Sequence, residues 1–142
     1  LKESIVELIG NRLAELFPSV QINRENRKGG FEEPSFFIEK VDTGVKPELF
    51  SIQNRKYAYQ VVYFPEIERP KENMESVEEV LLDNFTSLKD YATIRNRDFK
   101  QSDDNTLQMT FEVWIRAYKV DNTPKQEYMK FKGEIANGNR KL

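Results

Sequence analysis

From Leu107 to Tyr118 the side chains alternate strictly, with Leu107, Met109, Phe111, Val113, Ile115 and Ala117 on one parity. Gln108, Thr110, Glu112, Trp114, Arg116 and Tyr118 hold the other. A period of two fits a strand, because a helix would scatter the same apolar groups around its whole circumference. The chain must therefore build a sheet with one apolar face, and some other part of it must cover that face.

Two stretches have the spacing to do so. Ile5, Leu8, Ile9, Leu13 and Leu16 recur at helical intervals, with Lys2, Glu3, Glu7, Asn11, Arg12 and Glu15 left for the wet side. Ser4 followed by Glu7 predicts a capping box, and Pro18 ends the helix because proline pushes its predecessor out of helical geometry. A second helix is predicted after Pro70, whose fixed φ suits helix entry. Met74, Val77, Val80, Leu81 and Leu88 form its apolar face, and Glu72 and Glu75 lie near its positive end.

The remaining strands are shorter or less regular. Val20-Gln21-Ile22 alternates briefly, and Arg24 to Gly30 contains no apolar side chain and reads as an exposed loop. From Glu33 to Val41, Ser35, Phe37, Glu39 and Val41 point one way and Phe36, Ile38 and Lys40 the other. Asp42 to Pro47 and Gln53 to Lys56 read as polar interruptions around Leu49-Phe50, which predicts a long polar hairpin whose tip extends past the core. Tyr57 to Phe64 has bulk on both faces and reads as a central strand, while Tyr91 to Phe99 is a weaker strand. Ser102 to Asn105 and Asp121 to Pro124 are turns by composition, and Tyr128 to Phe131 is a short last strand.

These elements predict an α+β fold, a mainly antiparallel sheet with two amphipathic helices packed on one face. Residues 1–132 are expected to form a single domain and 133–142 a disordered tail. The apolar fraction is 38%, below the roughly 45–50% of ordinary globular chains, and 32% of residues are charged. The expected core is thin, and contacts between subunits are a natural supplement to it.

The same composition narrows the chemistry. Cysteine and histidine are absent, which removes thiol nucleophiles, thiolate metal sites and the side chain that most often titrates near neutrality. A net charge of −2 gives no global basic field for nucleic acid. The polar start, and the lack of an apolar run near the roughly 20 residues of a membrane span, predict an intracellular chain without a membrane partner. Its start on Leu1 suggests that some native residues precede the numbering.

Glu32/Glu33, Glu78/Glu79 and Asp103/Asp104 are carboxylate pairs, but neighbours in sequence diverge in space, so solvated surface is the expected reading. Gly29-Gly30 follows basic residues without any phosphate-loop spacing, and flexibility or positive φ accounts for it better. Asn84-Phe85-Thr86 matches a glycosylation sequon, which a helix inside a cell would not use. Arg95, Arg97 and Lys100, beside Tyr91 and Phe99, form the candidate patch for a small nucleic-acid-binding module. Trp114 sits on the polar parity of the longest alternation, which leaves it either covered by a helix or exposed for a partner.

Asn11-Arg12-Leu13 leading to Leu16-Phe17-Pro18, then Gly30-Phe31-Glu32-Glu33-Pro34-Ser35-Phe36-Phe37-Ile38, then Tyr57 onward to Tyr63-Phe64-Pro65, resemble the tail terminator (tail-to-head joining) proteins of long-tailed phages and prophages of Gram-positive bacteria. Gly29 departs from the family pattern, which more often has a polar residue before Gly30. The resemblance implies a structural protein, not an enzyme, that needs no cofactor. It implies a ring of copies of this chain, hexameric, that caps the tail tube protein and docks the head connector protein, with DNA only in transit through the channel. It places the chain in the virion tail, assembled in the host bacterial cytoplasm. Candidate subunit or tube contacts are Phe31, Glu32 and Glu33 near the glycines, Lys46, Glu48 and Arg55 on the hairpin, and Trp114.

Overall fold

In the computed structural model, which describes residues 4–25, 29–89 and 91–118, the chain runs α1 (Ile5–Leu16), β1 (Gln21–Asn23), β2 (Ser35–Pro47), β3 (Ile52–Phe64), α2 (Pro70–Asn84), β4 (Ser87–Leu88), β5 (Ala92–Gln101) and β6 (Leu107–Tyr118). The six strands form one sheet in the order β1-β2-β3-β6-β5-β4. β1 lies parallel to β2, and every other neighbouring pair is antiparallel. The fold is α+β, as the alternation and the two amphipathic stretches predict.

Register decides which side chains share the buried face. Phe36 lies opposite Tyr63 and Ile38 opposite Val61, while Tyr63, Val61 and Tyr59 face Leu107, Met109 and Phe111. These rows are almost wholly inaccessible, with Phe36 at 0% and Phe111 at 1% exposure. Leu8, Ile9 and Leu13 of α1 and Met74, Val77 and Leu81 of α2 complete the same cluster. Phe36 packs against Phe17 at 5.2 Å and Tyr63 at 4.8 Å between ring centroids, so the end of α1, β2 and the central strand β3 meet at one ring.

Helix ends follow the expected chemistry, with one addition. At α1, Ser4 Oγ accepts from the Glu7 N–H at 3.2 Å and Glu7 Oε1 accepts from the Ser4 N–H at 2.9 Å, a complete capping box. Pro70 stands in the first turn of α2, whose last turn carries no basic residue of its own. Arginines from elsewhere supply the missing donors: Arg97 Nη1 donates to the Leu81 and Leu82 carbonyls at 2.8 and 3.2 Å, and Arg12 Nη2 to the Asn84 carbonyl at 2.9 Å. Leu88 belongs to the buried layer, but from β4 and not from the helix.

The hairpin differs from its sequence reading. Asp42 to Pro47 is not a turn: β2 continues through it, pairing Thr43 with Tyr57, Val45 with Arg55 and Pro47 with Gln53. Gln53 to Lys56 likewise lies inside β3. A register shift between Lys40 and Asp42 absorbs the polar interruption. Gly44 allows the Lys56 side chain to cross close by, since a Cβ there would meet Lys56 Cε at 3.3 Å. The true reversal is at Glu48–Ser51, where Phe50 and Ser51 take φ of 60° and 64° and the Ile52 N–H reaches the Leu49 carbonyl at 3.3 Å. The predicted turn at Asp121–Pro124, the strand at Tyr128–Phe131 and the tail 133–142 lie outside the described residues.

Truncating Phe36 to Ala removes the ring at this junction, and such core losses cost about 3–5 kcal/mol. Urea unfolding of Phe36→Ala should show a drop of that order with an unchanged denaturant slope, and a midpoint equal to wild type would contradict the packing described.

Candidate functional site

Burial along the sheet is lopsided. On the face that holds the core, it ends at the row Tyr57–Val113; beyond that row Val45 is exposed and Ile115 and Ala117 are only partly covered. Among the described residues, β1 pairs with β2 only at Ser35–Phe37 and β5 meets β6 no further along than Val113. Residues 41–58 of the hairpin and 114–118 of β6 therefore form a three-stranded arm. The five steps from Tyr57 to Ile52 carry it about 17 Å past the last buried row at ordinary strand rise.

Four of the sequence-predicted residues gather on this arm. Lys46 is exposed on β2 in the row Lys46–Asn54–Arg116. Glu48, at the turn, accepts from Arg116 Nη2 at 3.2 Å. Arg55 is half-buried and donates to Gln53 Oε1 at 3.1 Å and to the Tyr57 hydroxyl at 3.3 Å. Trp114 lies on the face away from the helices, half-buried beside Gly44, Lys46 and Lys56. Of the two alternatives for this tryptophan, the helix cover is not found among the described residues.

Trp114 is nevertheless held in place. Its Nε1–H donates to Glu112 Oε1 at 3.1 Å, the Asn96 amide donates to the same oxygen at 2.7 Å, and the Arg95 guanidinium stands 6.0 Å from the indole. The Asn96 and Trp114 hydrogen bonds, helped by the charges of Lys56 and Arg95, hold the Glu112 carboxyl below its ordinary range. Behind it on the core face, burial together with the neighbouring Tyr57 and Tyr91 pushes the Tyr59 hydroxyl up to about 12.

The other candidates lie elsewhere. Phe31 stacks on Phe37 and Phe64, each at 5.0 Å between centroids, so it is anchored on the helix-free face with Glu32 and Glu33 exposed beside it. That position, at the Ser35–Phe64 end of the sheet, is the end opposite the arm. The basic patch does not converge either: Arg95 and Lys100 share rows with Glu112 and Gln108 on the helix-free face, whereas Arg97 is turned to the carbonyls at the end of α2.

Sequence reasoning missed the apolar character of the arm. Seven large apolar side chains are exposed among the described residues, and five of them, Val41, Val45, Leu49, Phe50 and Tyr118, belong to it. Leu49 and Phe50 were legible as an apolar pair between polar runs. The exposure of Val41 and Val45 depends on the strand continuing past the predicted turn.

Among the described residues there is no group of three or more acidic side chains placed to hold a metal ion, and no helix is long and apolar enough to cross a membrane. Replacing Glu112 by Gln tests the clasp around Trp114. A carboxyl depressed in the folded state adds stability that is present above the unfolded value and disappears as pH falls through the folded one. The stability gap between wild type and Glu112→Gln should thus be widest near pH 7 and close from about pH 4.3 downward; a gap constant down to pH 3 in urea titrations would contradict it.

A family model described as phage tail terminator protein matches residues 4–125. No curated protein matches the chain.

Proposed function

Because the chain belongs to the phage tail terminator family, and so to a family of structural proteins of the phage tail, we propose that copies of it close the end of the tail tube as a hexameric ring. The ring stops further addition of tube protein and offers its opposite side to the head connector. DNA crosses its channel only in transit. The site of action is the virion tail, after assembly in the host bacterial cytoplasm.

The observation that carries this reading is the arm. A strand ribbon that leaves the core and exposes apolar side chains at its end has the form of a contact element, because monomeric surfaces rarely concentrate apolar groups in this way. The helix-free face supports the transit of DNA: it mixes Glu39, Asp42 and Glu112 with Lys56 and Arg95. A mixed wall lacks the run of phosphate-neutralising cations that makes DNA binding tight and salt-dependent. Lys46, Glu48 and Arg55 on the arm are the polar groups placed to meet the tube or the next subunit.

Electron microscopy of purified tail tubes with and without the protein tests the proposal. Rings with sixfold symmetry should sit on tube ends, and capped tubes should stop growing when more tube protein is added. Bare ends on growth-competent tubes, or retention of DNA by the protein at physiological salt, would overturn it.

A further inference from the structure

The tip of the arm runs against its own backbone preference. A two-residue reversal with positive φ at both central positions is the geometry that favours Asn-Gly, yet Phe50 and Ser51 occupy it at 60° and 64°. Phe50 is 89% exposed and Leu49 77%, so no packing among the described residues compensates. An apolar side chain kept in a left-handed conformation and left uncovered by the described residues points to a partner.

The chain carries a surface that complements this arm. The outward stripe of α2 holds Glu72, Glu75, Glu79 and Asp83, all exposed, and its apolar member is Leu82, one of the two exposed large apolar residues off the arm. Towards its tip the arm carries Lys46 and Arg116 on the helix-free face, the latter paired with Glu48, and Arg55 on the opposite face. α2 follows the end of β3 that lies furthest from the tip, and the paired strands cannot fold back on themselves. The two surfaces can meet only between molecules.

We propose that the arm of one copy docks on the α2 stripe of the next, with Leu49 and Phe50 against Leu82 and the arm's cations against Glu75 and Glu79. Two different surfaces meeting head to tail make a heterologous contact, which closes into a ring when the rotation allows. Opposite charge fixes partner and register while the apolar tip supplies the buried anchor. This inference deepens the ring reading and rests on it.

The test is a charge exchange on capped tubes. Lys46→Glu with Arg55→Glu, or Glu75→Lys with Glu79→Lys, should each lower ring formation by about tenfold or more, and combining both pairs in one chain should restore it. Because the chain has no cysteine, a second measurement is free of background: Phe50→Cys and Leu82→Cys variants, mixed on tube ends and oxidised, should give a cross-linked pair. Phe50→Asn with Ser51→Gly should raise unfolding stability while weakening ring formation, which separates assembly from folding. Rings that form regardless of the charge reversals and yield no Phe50–Leu82 cross-link would overturn the docking and leave the ring standing. Absence of wild-type rings on competent tubes would remove both.

Discussion

The structure depends on a two-residue period being obeyed in register across three strands. β2, β3 and β6 each place one parity on the same face, so Phe36, Tyr63 and Leu107, then Ile38, Val61 and Met109, form continuous apolar rows. A slip of one residue in any of them would send the whole set to solvent. Both helices settle on those rows because they are where apolar surface is available. The helix-free face is then left to polar groups, to Trp114 and to the Phe31–Phe37–Phe64 stack beside Val62.

The rows end before the strands do. Past Tyr57 and Val113 the ladder continues without a buried layer, so the arm is held by backbone hydrogen bonds, cross-strand contacts and ion pairs such as Asp42–Lys56 at 3.6 Å and Glu48–Arg116 at 3.2 Å. Exposed pairs of this kind contribute about 0–1 kcal/mol each. The protein thus divides into a body that carries the core and an arm that exposes apolar side chains and left-handed backbone. A thin core for the length is consistent with that division.

The covered half was largely legible in the sequence. The capping box at Ser4, the entry of α2 at Pro70, the central position of β3 and the buried parity of β6 all follow from local rules, because each is set by spacing within one element. The arm was not. Asp42, Gly44 and Pro47 carry turn chemistry, and only pairing with β3, a tertiary fact, overrides it. The same limit applies to Arg97, whose place on a basic and aromatic segment suggested a ligand, while the carbonyls it serves come from a helix far away in sequence. Site residues drawn from two stretches, Phe31 near the glycines and Lys46 on the hairpin, end at opposite ends of the sheet, a distance that only strand pairing sets.

Amide hydrogen exchange on the free chain and on the chain bound to tail tubes bears most directly on the proposal that the arm is the joining element. Exchange in 41–58 and 114–118 should be fast in the free protein and slow markedly on the tubes, with the buried stretches 36–38, 59–63 and 107–113 slow in both. An arm that exchanges equally in the two states, with new protection confined to the opposite end of the sheet around Phe31–Pro34, would contradict the account.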